Sequence, residues 1–156
     1  MKSSLFPDVN VWLVLTHNRH VHHALAADWF QSLSDEPIFF CRFTQLGLLR
    51  LLTNQQVMGL DVMSQRAAWR AYLRWYDDQR IEFHREPESA DFERLFQEFS
   101  AKPHPSTKLW ADAYLAAFAK SAGLTIVTFD KTFLAMAGIS AKLLSFAAGT
   151  QHGGGP

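Results

Sequence analysis

The chain has 156 residues, 48% of them hydrophobic, including 13 Phe, 5 Trp and 3 Tyr. That is the size of one domain with enough apolar side chain to offset its ordering entropy, so extended disorder is excluded. Lysine plus arginine and aspartate plus glutamate both number 15, which excludes coating of nucleic acid through bulk charge and leaves only local contacts.

Leu5-Phe6 running into Asp8 predicts a short first strand, followed by a helix over 9–15. A second helix over 21–33 carries Ala24, Ala27, Trp29, Phe30 and Leu33 at roughly helical spacing. Pro37 leads into a buried strand over 38–41. Thr44 reads as the N-cap of a helix over 45–52, and Asn54 as its stop. The stretch 62–76 is helical, with Ala67, Ala68, Ala71, Tyr72 and Trp75 sharing a face, and 81–83 is a weak strand. Phe92, Leu95, Phe96 and Phe99 define a helix over 91–99, after which Pro103 and Pro105 break the chain. A strong helix over 109–122 is closed by Gly123, and 124–128 is the clearest strand. A short helix over 133–137 and a last strand over 142–144 complete the series. Strands alternating with helices predict an α/β domain whose mostly parallel sheet is covered on both faces.

There is no internal repeat and no linker long enough to split the domain. The lone cysteine, Cys41, has no disulfide partner, and no Cys/His spacing spells a structural zinc site. The first residues lack the apolar run and cleavage site of a signal peptide, and no run approaches the ~18 apolar residues of a membrane span. The expectation is a soluble cytoplasmic domain over 1–148, with no membrane contact and a flexible tail over 149–156.

In open α/β sheets functional groups gather beyond the carboxyl ends of the strands. Asp8 follows the first strand at once, Asp130 follows the strand over 124–128, and Asp112 sits in the first turn of the helix leading into that strand. Singly, each reads as a cap or a turn residue. Jointly, carboxylates within about 5 Å repel by roughly 3 kcal/mol per pair at an effective dielectric near 20, so a cation or a proton must relieve them. Hard oxygen donors suit Mg²⁺ or Mn²⁺, and a metal-activated water attacking a phosphodiester is the chemistry such a site performs.

Four blocks carry a resemblance: Asp8-Val9-Asn10-Val11-Trp12-Leu13, residues 44–54 from Thr44 through Gln45 and Arg50 to Asn54, residues 110–119 around Asp112, and Thr128-Phe129-Asp130-Lys131-Thr132-Phe133. In order and spacing they resemble the PIN-domain ribonucleases, and more closely the VapC-type toxins of bacterial toxin–antitoxin pairs. The resemblance implies a three-layer α/β/α PIN-like domain with a four- to five-stranded sheet. It also implies Mg²⁺- or Mn²⁺-dependent cleavage of RNA, a homodimer, and neutralisation by a small cognate antitoxin protein. Asp8, Asp112 and Asp130 match the family's acidic metal-site residues, and Asn10 and Thr128 match polar neighbours. One departure stands out: Gln45 occupies the place of a usual glutamate and brings an amide in place of a charge. Three carboxylates then favour one firmly held ion. The same departure leaves open a catalytically weak or silent module that binds RNA or antitoxin without cleavage. A phosphatase that opens with an aspartate after its first strand wants a second aspartate two residues on, where this chain has Asn10.

Arg50, in an apolar helix, is expected to be buried and paired at the mouth of the site. His17, His20, His22 and His23 read as a loop and helix start rather than a metal site. Arg66, Arg70 and Arg74 share one helix face, either solvated or guiding RNA. Cys41 reads as a small core residue, and Trp69, Trp75 and Trp110 as core or dimer contacts, with base stacking the alternative.

Overall fold

The computed structural model describes residues 2–145; the tail expected over 149–156 lies outside them. Its five short strands are β1 (Leu5–Pro7), β2 (Ile38–Phe40), β3 (Ile81–Phe83), β4 (Thr125–Thr128) and β5 (Ala141–Leu143). They form one sheet in the order β3-β2-β1-β4-β5, and every pairing is parallel. Each parallel step needs a crossover, and the helical stretches supply them. Helices α1 (Val9–Thr16) and α2 (His23–Ser32) link β1 to β2; α3 (Arg42–Leu52), the single turn α4 (Gln55–Met58) and α5 (Gln65–Arg74) link β2 to β3. Helices α6 (Ala90–Ser100) and α7 (Leu109–Ala122) then carry the chain back to β4.

Successive strand side chains point to opposite faces, so the sheet feeds two cores. Leu5, Ile38, Phe40 and Val127 join Trp12 of α1, Leu48 and Leu52 of α3, and Tyr72 of α5. Phe6 and Ile126 face the other way, onto Phe92, Leu95 and Phe99 of α6 and the Ala113–Phe118 stretch of α7. The indole of Trp12 stacks on Phe40 with ring centroids 3.8 Å apart, and Phe6 stacks on Phe118 at 4.9 Å. The architecture is the expected three-layer α/β/α sandwich.

Several boundaries differ from the sequence reading, each for a local reason. Helix α3 begins at Arg42, because Cys41 caps it and the Thr44 hydroxyl reaches back to the Cys41 backbone N–H at 2.9 Å. Thr44 is thus the third helical residue of a capping box and not the cap itself. Asn54 starts a helix instead of ending one: its side chain accepts the Gln56 N–H at the head of α4. The stretch expected as one helix over 62–76 is α5 flanked by 3-10 turns at Gly59–Asp61 and Trp75–Asp77, and the helix expected over 133–137 is a 3-10 turn at Lys131–Ala135.

Two glycines fix what surrounds the site. Gly123 closes α7 at φ +70°, a left-handed conformation that costs glycine least, and its N–H bonds to the Ala119 carbonyl. Gly47 lies where α3 crosses α1; a Cβ there would stand 2.6 Å from Val9 Cγ2. The missing side chain lets α3 approach the residues just after β1. The sheet order reverses between β1 and β4, and the crevice beyond their carboxyl ends is where open α/β sheets place their ligands.

Candidate metal centre

Asp8 follows β1 at once and caps α1. One carboxylate oxygen accepts the Val11 N–H at 3.0 Å, and the other accepts the Thr128 hydroxyl at 2.5 Å. Its own N–H bonds to the Val127 carbonyl of β4, which ties the two strand ends together at the crevice. The residue is 9% exposed. Burial raises the carboxyl pKa, the Thr128 and Val11 bonds oppose that rise, and the charges of Asp112 and Asp130 add to it.

Asp130 leaves β4 two residues beyond Thr128, and its N–H donates to the Thr128 oxygen at 2.9 Å. Thr128 therefore bridges the two aspartates, bonding Asp8 with its proton and Asp130 with its lone pair. The Asp130 carboxylate caps the following 3-10 turn, accepting from Thr132 N and Oγ1 at 2.9 and 2.7 Å. Its other oxygen accepts from Lys108 Nζ. That ammonium, with help from Thr132, holds the Asp130 pKa down to about 2.

Asp112 lies in the first turn of α7, where the helix dipole favours a negative charge. Burial pushes its pKa up, the nearby Lys108 opposes the rise and Asp130 adds to it. Lys108 Nζ stands 3.9 Å from the Asp112 carboxylate as well as bonding Asp130. Three acidic residues from separate segments thus face one another, and a lysine that the sequence reading missed sits among them. The i,i+4 spacing of Lys108 and Asp112 was the signal available in the sequence; the contact across to Asp130 was not legible there.

The cleft they line holds about 370 Å³ and is walled by Asp8, Asn10, Gly47, Arg50, Lys108 and Asp112, among others. A second concavity opens on the far side of Lys108, between Asn10, Phe129 and Asp130. Asn10 borders both. Arg50 reaches this mouth as expected, but it is exposed rather than buried. Helix α3 buries Gln45, Leu48 and Leu52 on one face, and Arg50 falls off that face. Gln45 is not among the residues that line the cleft; it is 5% exposed and its carbonyl oxygen accepts from Arg42 Nη1 at 2.5 Å.

The donor set suits a hard divalent cation. It offers carboxylate oxygens that repel one another at partly desolvated positions, with further oxygen donors alongside. Among the described residues, no group of three or more His, Cys, Asp or Glu side chains is placed so that it could hold a metal ion as it stands. Here the cation bonded within the cluster is the Lys108 ammonium.

A family model for the PIN domain matches residues 5–139. The chain belongs to the PIN-domain family. Among curated proteins it is 40% identical to Ribonuclease VapC41 of Mycobacterium tuberculosis over 146 residues, 90% of this chain and 99% of that protein. A shorter match, 37% identical over 54 residues, joins it to Ribonuclease VapC39 of the same organism. Solved structures with the same fold include Mycobacterium tuberculosis VapC20, described as a sarcin–ricin loop cleaving toxin, at TM-score 0.63 and 20% identity, covering 87% of this chain and 96% of that one. DNA-bound VapBC from Salmonella typhimurium aligns at TM-score 0.63 and 16% identity, over 92% and 99% of the two chains. Within the PIN family the chain is thus a homologue of the VapC ribonucleases.

The remaining sequence candidates are placed elsewhere in this PIN domain. His17 pairs with Asp61 at 3.1 Å and His23 bonds to the Val14 carbonyl at 2.8 Å, which gives both a structural part. Trp75 packs against Trp12 and Phe30 and donates to Thr16, so it belongs to the core, whereas Trp69 and Trp110 are exposed. Arg66, Arg70 and Arg74 are exposed along α5, and Cys41 is buried. No helix among the described residues is long and apolar enough to cross a membrane.

Proposed function

We propose that the chain is a divalent-metal-dependent endoribonuclease and the toxin of a toxin–antitoxin pair, acting on RNA in the cytoplasm. The observation that carries this reading is the convergence of Asp8, Asp112 and Asp130 at the strand-order reversal of a PIN fold. Its likeness to Ribonuclease VapC41 over nearly the whole of both chains supports the substrate class.

Asp8, Asp112 and Asp130 would hold one Mg²⁺ or Mn²⁺. When bound, such an ion lowers the pKa of a water for attack on the phosphodiester and offsets the charge that develops there. The chain's own groups prepare the site. Thr128 and the Val11 N–H hold both oxygens of Asp8, and Thr132 fixes Asp130, so the carboxylates meet the cation with little freedom left to lose. Arg50 lines the mouth as an exposed guanidinium suited to a phosphate oxygen, and Asn10 lies where a ribose or phosphate oxygen would pass. Gln45, already engaged with Arg42, leaves three carboxylates for the ion. That charge favours a single resident cation over two.

The reading includes a cognate antitoxin, supported by VapBC complexes among the solved structures of this fold, and it also includes a homodimer. A second reading, a silent module that binds RNA or antitoxin without cutting, is favoured by one observation: Lys108 already neutralises part of the cluster. Cleavage of a purified RNA pool separates the two. The nuclease reading expects products with Mn²⁺ or Mg²⁺, none in EDTA, and growth arrest on expression that Asp8→Ala abolishes. An intact RNA pool under all conditions, with normal growth, would leave the silent module.

A further inference from the structure

We propose that Lys108 is a tethered cation that occupies the carboxylate cluster in competition with the divalent ion, so that the ion enters by displacing its ammonium from Asp130. The proposal rests on the metal-site reading given above. Lys108 stands one residue before α7, four residues before Asp112, so the start of the helix fixes its backbone beside the cluster. Its Nζ bonds Asp130 and lies 3.9 Å from Asp112, and its charge is also felt by Asp8. It borders both concavities that open on the site.

The side chain is nevertheless 68% exposed, against 13% for Asp112 and 29% for Asp130. A long, flexible, exposed stem can leave its partners without disturbing any packed core, and α7 does not depend on it for capping, since its side chain makes no cap bond. Three carboxylates and one ammonium leave a local charge of −2, enough to attract a divalent cation. Two like-signed cations on one small cluster repel, however, and oxygens that bond the ammonium are not free for the ion. Lys108 therefore sets a threshold: the cluster is stable before the ion arrives, and closes around it only when the ion outcompetes the lysine. This also accounts for three neighbouring carboxylates that, among the described residues, do not form a metal-holding group as placed. Once released, the ammonium lies in the cleft that Arg50 lines, where it adds positive charge opposite an RNA phosphate.

The test is calorimetric titration of Mn²⁺ into the full chain, comparing the parent, Lys108→Met and Lys108→Arg. Lys108→Met keeps the aliphatic stem and removes the charge; it is expected to bind Mn²⁺ about tenfold more tightly, equal to ~1.4 kcal/mol. Its melting temperature in EDTA falls while its Mn²⁺-linked rise grows. Lys108→Arg keeps the charge and is expected to bind within about threefold of the parent, which excludes a merely structural effect at this position. Unchanged or weaker Mn²⁺ binding by Lys108→Met overturns the competition while leaving the nuclease reading intact. Absence of Mn²⁺ binding in the parent and both variants overturns the two together.

Discussion

Replacing Asp8 by Asn should make the protein more stable without divalent ions and nearly inactive with them. The amide keeps an oxygen for the Val11 N–H, so the cap of α1 survives. What disappears is a charge at a site 9% exposed, facing Asp112 and Asp130. Neighbouring carboxylates of one cluster repel by about 2–3 kcal/mol at an effective dielectric near 20, and Lys108 beside them offsets part of that. Against this gain, the Thr128 hydroxyl exchanges a charged acceptor for a neutral group, a loss of about 1 kcal/mol. The balance is a stabilisation of about 1–2 kcal/mol, or roughly 2–8 °C in melting temperature for a domain of this size.

The pH dependence has a defined sign. Because Asp8 and Asp112 have pKa values raised above the ordinary 3.8, the folded chain binds their protons more tightly than the unfolded one. Their contribution is therefore lost as pH rises from 3.8 through the raised folded values. Asp130, held at about 2, acts oppositely: its stabilisation is complete above 3.8 and is lost as pH falls toward 2. Asp8→Asn removes the first contributor and flattens the decline above 3.8. Melting in EDTA and in Mn²⁺ across this range provides the assay, since a ligand that binds only the folded state must raise its stability. RNA cleavage falls by about 10²-fold or more. A variant less stable than the parent in EDTA, or one that keeps the full Mn²⁺-linked rise, would refute the reasoning.

Other substitutions probe the supporting structure. Thr128→Val has the same shape but leaves one Asp8 carboxylate oxygen and the Asp130 N–H each without their partner; it should cost about 1–3 kcal/mol in urea unfolding and reduce cleavage as well. Gly47→Ala puts a Cβ 2.6 Å from Val9 Cγ2 and should destabilise by about 1–3 kcal/mol despite the better helix propensity of alanine. The Val9→Ala, Gly47→Ala pair should recover part of that loss, and strict additivity would show that the close approach is not its cause. Arg50→Gln should leave the melting temperature unchanged while weakening single-stranded RNA and lowering the salt slope by about 0.7, the share of one phosphate contact; an unaltered slope would remove Arg50 from the RNA path.

Most of the architecture was legible because local signals agreed. Helix α7 was bounded correctly at both ends, since the prolines before it and Gly123 after it act through the backbone alone. The aspartates were legible because strand exits and first helical turns are positions that sequence marks. The errors cluster in α3. Cysteine is a rare cap, so Cys41 gave no signal, and Thr44 drew the start three residues late. The apolar neighbourhood of Arg50 likewise suggested a burial that the helix does not provide, because Gln45, Leu48 and Leu52 take the buried face. Lys108 was missed for a different reason: its contact with Asp130 spans 22 residues and exists only once α7 has packed back against β4.

The account stands most directly on how many Mn²⁺ ions the chain binds and which residues hold them. Paramagnetic titration of the parent and of Asp8→Asn, Asp112→Asn and Asp130→Asn should give one ion per chain, weakened severely by each substitution alone. Full binding retained by any of the three, or a second equally tight ion in the parent, would contradict a single site shared by all of them.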